Sequence, residues 1–319
     1  MTKGLGPTYT ILLQNMLKRT AGLQIEYYAL LCFVTIISYI PFRLLYILSD
    51  ILYCPFYFII RYRRKIVRKN LTESFPDKSR QEITRIEKEF YHFFIDTTLE
   101  SCKLVSISAE EMMRRIRFTN IEVANEILRQ GKSVSLFLGH YGNWEWVSTL
   151  SLWLYKGAVP AQVYKKLSNK AMDKVMKKLR ERWGNVCVDM HHTVRYVADA
   201  ANDSRPHIIG FIADQSPRKR ESRYFIPFLN HDVPVLTGPE KITKHYDYEA
   251  LFLSIRRVKR GYYECELSPL HDCPASVPNF ELTNLYYRRL EQEIVSHPEL
   301  YLWTHKRFRH AYMHHSPNI

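Results

Sequence analysis

Apolar positions fall into three regimes along the chain. Over residues 27–60 they are nearly continuous, and Arg43 and Asp50 are the only charges in "YYALLCFVTIISYIPFRLLYILSDILYCPFYFII". Over residues 76–105 they become periodic: Ile83, Ile86, Phe90, Phe93 and Phe94 recur at three and four, which predicts an amphipathic helix. From residue 133 onward, short strand-like runs alternate with helical ones. "SVSLFLG" precedes a helix expected over about 143–154, "VPAQVY" one over 170–183, and "NVCVDM" one over 194–202. "PHIIGFIAD" leads through a polar loop to a helix over 238–245. "EALFLSIRRV" and "YYECELSP" read as a hairpin turning at 259–261, and "LTNLYYRRLEQEIVSHP" as a last amphipathic helix. This alternation predicts an α/β domain, a mostly parallel sheet covered by helices. Two domains are expected, an N-terminal apolar segment with its basic flank over 1–70 and the α/β domain over 71–319.

A bilayer core takes about 20 helical residues to cross. The cleanest apolar run, residues 27–42, falls just short, and Pro41 and Pro55 would kink or end a helix. The segment is compatible with a tilted span, a re-entrant hairpin, an interfacial helix, or a buried helix pair. The adjoining basic stretch favours membrane association. "RYRRKIVRK" holds Arg61, Arg63, Arg64, Lys65, Arg68 and Lys69, and such a flank stays cytoplasmic and attracts anionic lipid. The remainder of the chain is therefore expected on the cytoplasmic face.

The net charge of +14 also suggests an anionic partner: a membrane surface, a phosphorylated or acidic substrate, or nucleic acid. The six cysteines are dispersed and form no C-x-x-C pair, so they read as reduced thiols rather than a disulfide framework. The histidine doublets lack metal-ligand spacing, and no metal or cofactor is expected. No short apolar leader with a small-residue cleavage site is read at the start.

One stretch carries candidate chemistry. In "SVSLFLGHYGNWEW" a strand runs into His140, and Glu145 comes five residues later. On a continuous helix, residues five apart point about 140° away from each other. If His140 lies in the turn and Glu145 in the first helical turn, they can face each other, with Gly139 and Gly142 giving the backbone freedom. A histidine held by a carboxylate is a general base of fixed tautomer. No Ser or Cys nucleophile lies beside it, so the base would act on a substrate hydroxyl. The stretch alone leaves open a histidine that merely bonds backbone.

"GHYGNWEW" resembles the H-x4-D/E block of glycerolipid acyltransferases, and its H-x-G-N-W-E form resembles the lipid A biosynthesis (lauroyl/myristoyl) acyltransferase family in particular. Further blocks fall in that family's order: "RKIVRKNLTESFPDKS", "VYKKLSNKAMD", "ADQSP" and "PELYLWTHKRF". The resemblance spans roughly residues 44–308. Two departures stand out. Lys165 replaces the usual arginine after the tyrosine, and Phe228-Leu229-Asn230 stands where Phe-Phe-Gly is common. Asn tolerates a left-handed turn, so the backbone shape there is expected to survive.

The resemblance implies a glycerolipid-acyltransferase-like fold in the bacterial inner membrane. It implies acyl transfer from acyl carrier protein to a hydroxyl of a lipid A precursor such as Kdo-lipid IVA, in lipopolysaccharide biosynthesis. His140 would be the base and Glu145 its orienter. Lys165, Lys166, Asp214, Gln215, Arg218 and Arg220 are candidate substrate contacts, for phosphates and sugar-acid carboxylates or for acidic carrier protein. A solvated basic loop and an Asp214 that pairs a nearby base remain alternatives. Trp144 and Trp146 are read as core. Trp303, His305 and Arg307 match the family without a derivable role. Another lipid acceptor is the second reading. A membrane-tethered nucleic-acid-binding protein is the third, although nucleic acid is not the expected partner.

Overall fold

The computed structural model describes residues 7–313, with side chains for residues 22–312 except 221. The apolar segment folds as two helices, α1 (Pro7–Tyr39) and α2 (Phe42–Cys54), broken at Pro41 as its ring and missing N–H require. A π-helical turn (Pro55–Ile60) extends α2. The basic flank then forms α3 (Arg64–Ser74) and leads to α4 (Arg80–Lys103), which starts at a Ser79/Glu82 capping box. Both apolar stretches, Gly22–Tyr39 and Phe42–Ile60, are long and apolar enough to cross a membrane. Their outward side chains are bare: Ile36 is 63%, Ile47 55% and Ile59 78% exposed.

The inward face of the second stretch is fastened to α4 by buried carboxylates. Glu87 accepts from Tyr57, Arg64 and Arg68. Asp96 accepts from Ser49 of α2 and from Arg257 and Arg260. Glu100 accepts from Tyr46 of α2 at 2.8 Å. A buried carboxylate is tolerated only when paired in this way. The segments on either side of residue 70 are thus joined by hydrogen-bonded charge.

After α5 (Ala109–Arg115), β1 (Ile116–Thr119) and α6 (Ile121–Arg129) come the elements of the central sheet. These are β2 (Val134–Leu138), β3 (Val159–Tyr164), α7 (Lys170–Glu181), β4 (Val186–Asp189), α8 (Thr193–Ala200) and β5 (His207–Ile212). A ribbon comes next, β6 (Phe225–Phe228) and β7 (His231–Pro234), which the last strand of the chain joins beside β7, then α9 (Gly238–His245). The hairpin β8 (Glu249–Lys259) and β9 (Tyr262–Pro269), α10 (Glu281–Ser296) and the short β10 (Tyr312–Met313) complete it. The sheet order is β1-β9-β8-β2-β5-β3-β4, parallel everywhere except at the β8/β9 hairpin. This is the expected helix-covered, mostly parallel α/β sheet. All five residues of β2 are buried, as a central parallel strand covered on both faces requires.

Two expectations need correction. Residues 143–154 are not an α-helix. A 3-10 helix covers only Trp146–Leu152, and Asn143 Oδ1 accepts from the Trp146 amide, a local bond that competes with an α turn. The second concerns the polar loop after β5, which contains the ribbon. Its two-residue turn places Leu229 (φ 50°) and Asn230 (φ 61°) both in the left-handed region, the conformation that a primed hairpin turn requires. Glu291 anchors the Leu229 amide, and Asn230 donates to the carbonyl of Glu73.

Candidate active site

Because β2, β5 and β3 are parallel, their C-terminal ends share one edge of the sheet. His140 leaves β2 there, Asp214 leaves β5, and Lys165 and Lys166 leave β3. Open α/β sheets place ligands outside this edge. Two tyrosines of α10 cap the strands just before the site. Tyr286 donates to the carbonyl of Leu138 at 2.9 Å, and Tyr287 to that of Ala213 at 2.8 Å. The turn is equally constrained. Gly142 has φ 61°, and a Cβ on it would meet Ile255 at 2.4 Å; one on Gly139 would meet Leu290 at 2.5 Å. Both glycines therefore serve a close approach as well as a turn.

The carboxylate on His140 is Asp214. Its Oδ1 lies 2.7 Å from His140 Nδ1 and also accepts the His140 amide at 3.3 Å. Asp214 is 2% exposed. Burial by itself would raise its carboxyl, but the His140 charge and hydrogen bond and the Arg307 guanidinium outweigh that and hold it below the usual carboxylate range. The Nδ1–H tautomer leaves Nε2 as the basic nitrogen, and the Gln215 amide sits against it at 3.2 Å. The ring of Trp144 stands edge-on to the imidazole, 5.5 Å between centroids.

Glu145 does not make the direct bond expected of it. Arg180 of α7 binds it at two points, Nε to Oε2 at 2.8 Å and Nη2 to Oε1 at 2.6 Å. Burial pushes the Glu145 carboxyl up, Arg180 pulls it down more strongly, and it stays below the ordinary value; the nearby His140 adds to the lowering. The reason is local. Without an α turn after Asn143, Glu145 lies just ahead of the 3-10 helix, where the guanidinium reaches it. Sequence reasoning missed Arg180. In "KKLRERW" it reads as one more cation on an amphipathic helix, and its partner lies 35 residues away in sequence.

Two other features explain motif residues. Asn143 donates to Glu100 Oε2 at 2.7 Å, as does Tyr263, while Trp146 Nε1 donates to the Glu100 carbonyl. Trp146 is core, fully buried. The C-terminal block straps the turn: Gly142 donates to Leu300 O at 3.0 Å and Leu302 to His140 O at 3.1 Å. The Gly142 amide is thereby engaged in the strap. Asn70 of α3 in turn donates to the carbonyls of Trp303 and His305, both at 2.9 Å. His305 Nε2 accepts the Ser216 amide at 3.3 Å, and burial pushes its imidazole down to about 4. Arg307 is buried and donates to Pro234 O and Tyr287 Oη.

The remaining candidates lie farther out on this edge. Lys165 is exposed, and Lys166 pairs with Asp189 at 2.8 Å. Arg218 and Arg220 sit exposed in the loop after Gln215.

A buried Asp–His pair with Nε2 turned toward a polar neighbour can accept a proton from a hydroxyl, which suits acyl transfer. Two comparisons bear on this. A family model described as bacterial lipid A biosynthesis acyltransferase matches residues 17–310. "Lipid A biosynthesis acyltransferase 2" of Shigella flexneri is similar at 22% identity over 256 residues, covering 77% of this chain and 78% of that one. With nearly its whole length matched, the chain belongs to the bacterial lipid A biosynthesis acyltransferases.

Proposed function

We propose that this acyltransferase performs a secondary acylation, moving an acyl chain from an acyl carrier protein thioester to a hydroxyl of a lipid A precursor such as Kdo-lipid IVA. The observation that carries the reading is the 2.7 Å bond from His140 Nδ1 to buried Asp214, which leaves Nε2 as the base. The acceptor hydroxyl displaces the Gln215 amide and gives its proton to Nε2. The alkoxide oxygen attacks the thioester carbonyl, and the imidazolium is stabilised by ionised Asp214. As the tetrahedral adduct collapses, the C–S bond breaks and the leaving thiolate takes the proton from His140. Glu145 acts through Arg180, fixing the wall beside the base. Lys165, Lys166, Arg218 and Arg220 meet the acidic groups of the substrates.

Bare apolar faces on α1 and α2 beside a basic α3 support work at an anionic membrane surface, on the cytoplasmic face of the inner membrane. The test is mass spectrometry of lipid A from cells with and without the protein, paired with transfer by purified enzyme from acyl carrier protein. Loss of one acyl chain of defined length supports the reading. Unchanged lipid A, with transfer to a glycerolipid or amino-acid lipid instead, overturns the acceptor.

A further inference from the structure

Where β7 passes into α9, the chain borders an open cavity of about 370 Å³ whose lining does not include His140, Asp214 or Gln215. Arg220, Arg223, Tyr224, Thr237, Lys241 and Phe280 are among the residues that line it. A second hollow of about 540 Å³ shares Thr237, Lys241 and Phe280 and adds Lys244 and His245. The side chains of Arg223 and Lys241 make no hydrogen bond or ion pair among the described residues. The second hollow also carries a carboxylate, Glu240. It accepts the amides of Phe280 and Thr283 and the Thr283 hydroxyl, closing the start of α10. Among the described residues, no carboxylate lines the first cavity, which Arg223 and Lys241 share; Glu240 lies in the second hollow only.

Phe280 gives a second, independent sign. Its φ of 73° is left-handed, a conformation that costs a bulky residue on the order of 1–3 kcal/mol. Glu240 holds its amide, and its ring stacks on Tyr224 with centroids 4.0 Å apart and planes 13° apart. The strain fixes an aromatic wall beside the two cations. Location ties the cavity to the active edge. Arg220 is five residues beyond Gln215, which touches His140, so its Cα lies within about 18 Å of that of Gln215 at full extension. The end of α9 feeds β8, which pairs with the start of β2 at Val134↔Glu249, so the start of α9 points back toward the end of the sheet that carries His140.

We infer that this cavity is a phosphate-monoester site, with Arg223 and Lys241 on the phosphate oxygens and Tyr224 and Phe280 against the adjoining carbon skeleton. A concave site of this size admits one group of a substrate, not the convex acidic face of a carrier protein. The phosphate comes from the amino-sugar acceptor or from the pantetheine arm of the donor. The choice between these sources rests on the acyl-transfer reading; the anion site does not.

Calorimetric titration of the purified full chain decides it. The probes are glucosamine 1-phosphate and 4′-phosphopantetheine, each beside its dephosphorylated form. One phosphorylated probe should bind, and removal of its phosphate should weaken binding at least tenfold. The Arg223→Gln/Lys241→Gln variant should weaken it at least tenfold as well. Arg256→Gln, an exposed residue paired with Glu264 on the β8/β9 hairpin, should leave it unchanged. The probe that binds names the source. Binding equal in the double variant, or no phosphate-dependent binding at millimolar probe, overturns the site. Acyl transfer by the wild type, measured beside the titration, separates the two ideas, because phosphate-dependent binding without transfer would sink the function and keep the site.

Discussion

Glu145 and Arg180 form a two-point ion pair at 2.8 and 2.6 Å, while His140, five residues before Glu145, turns to Asp214. The H-x4-E spacing thus marks two neighbouring pairs. Removing one partner of a largely buried pair strands a charge and costs about 3–5 kcal/mol. Glu145→Gln and Arg180→Gln should each lower Tm and kcat, and the double variant should recover part of both losses. If Arg180→Gln retains full acyl transfer while Glu145→Gln is dead, Glu145 works on the reacting atoms directly and the positioning role fails.

Asp214→Asn tests the base. An asparagine keeps the shape but offers the amide in either orientation and no charge for the imidazolium. kcat should fall about 10³–10⁴-fold with KM little changed. His140→Ala should fall at least as far. The sign of the pH effect on folding comes from the lowered Asp214 carboxyl. Its stabilising contribution is present above the ordinary carboxylate value and is lost as pH drops through the folded value. Acid unfolding of Asp214→Asn should accordingly be flatter below about pH 4.

His305 has a linkage of the same sign, in a higher pH window. Its imidazole is held neutral down to about 4 against an ordinary 6.5, so between those values the unfolded chain binds the extra proton. Stability should rise with pH through that window, by at most about 3 kcal/mol. His305→Gln keeps an acceptor for the Ser216 amide and should remove much of that slope in denaturant titrations at pH 5 and 7. An unchanged slope would show that other groups set it.

The contrast between Glu100 and Ile83 shows what sequence makes legible. Ile83 announces itself by period, and so do the strands and helices from 133 onward, because burial of one face imposes a repeat. Glu100 sits in the same helical pattern as an unremarkable acid. It accepts from Tyr46, Asn143 and Tyr263, residues 54, 43 and 163 positions away. No local repeat encodes such a partnership. The same holds for Asp214: its place at a strand end is readable, but the choice of His140 as partner depends on β2 and β5 being adjacent. The 3-10 turn escapes for a related reason, since the Asn143 side chain overrides helical propensity through one bond.

Glu100 therefore links α2 to the active turn. Burial lifts its carboxyl above the usual range, and three donors fill its two oxygens. Glu100→Gln replaces one of those oxygens by an amide donor facing a donor. We expect a loss of about 1–3 kcal/mol in stability and a lower kcat. Tyr46→Phe should reproduce part of the kcat loss, because it frees one oxygen without touching the turn. A Tyr46→Phe enzyme with wild-type kcat would show that α2 and the turn are not coupled.

The bare face of α1 and α2 gives the last prediction. The inner face of α2 is committed through Tyr46, Ser49 and Asp50, the last paired with Arg260 at 2.7 Å. A helix so fastened should rest on the lipid with its outer face and not cross as a free span. Ile36 of α1, Ile47 of α2 and Ile59 of the π turn are exposed there. Seating each in lipid should be worth about 2 kcal/mol, so changing all three to Asp should weaken partitioning at least on the order of 10⁴-fold. Because these side chains point away from the domain, Tm in detergent should hardly move. Flotation with vesicles containing anionic lipid measures the first, and thermal melts the second. Raised salt should weaken the α3 contribution only, since screening acts on Arg and Lys and not on apolar burial. A triple variant that floats like the wild type would place the membrane contact elsewhere.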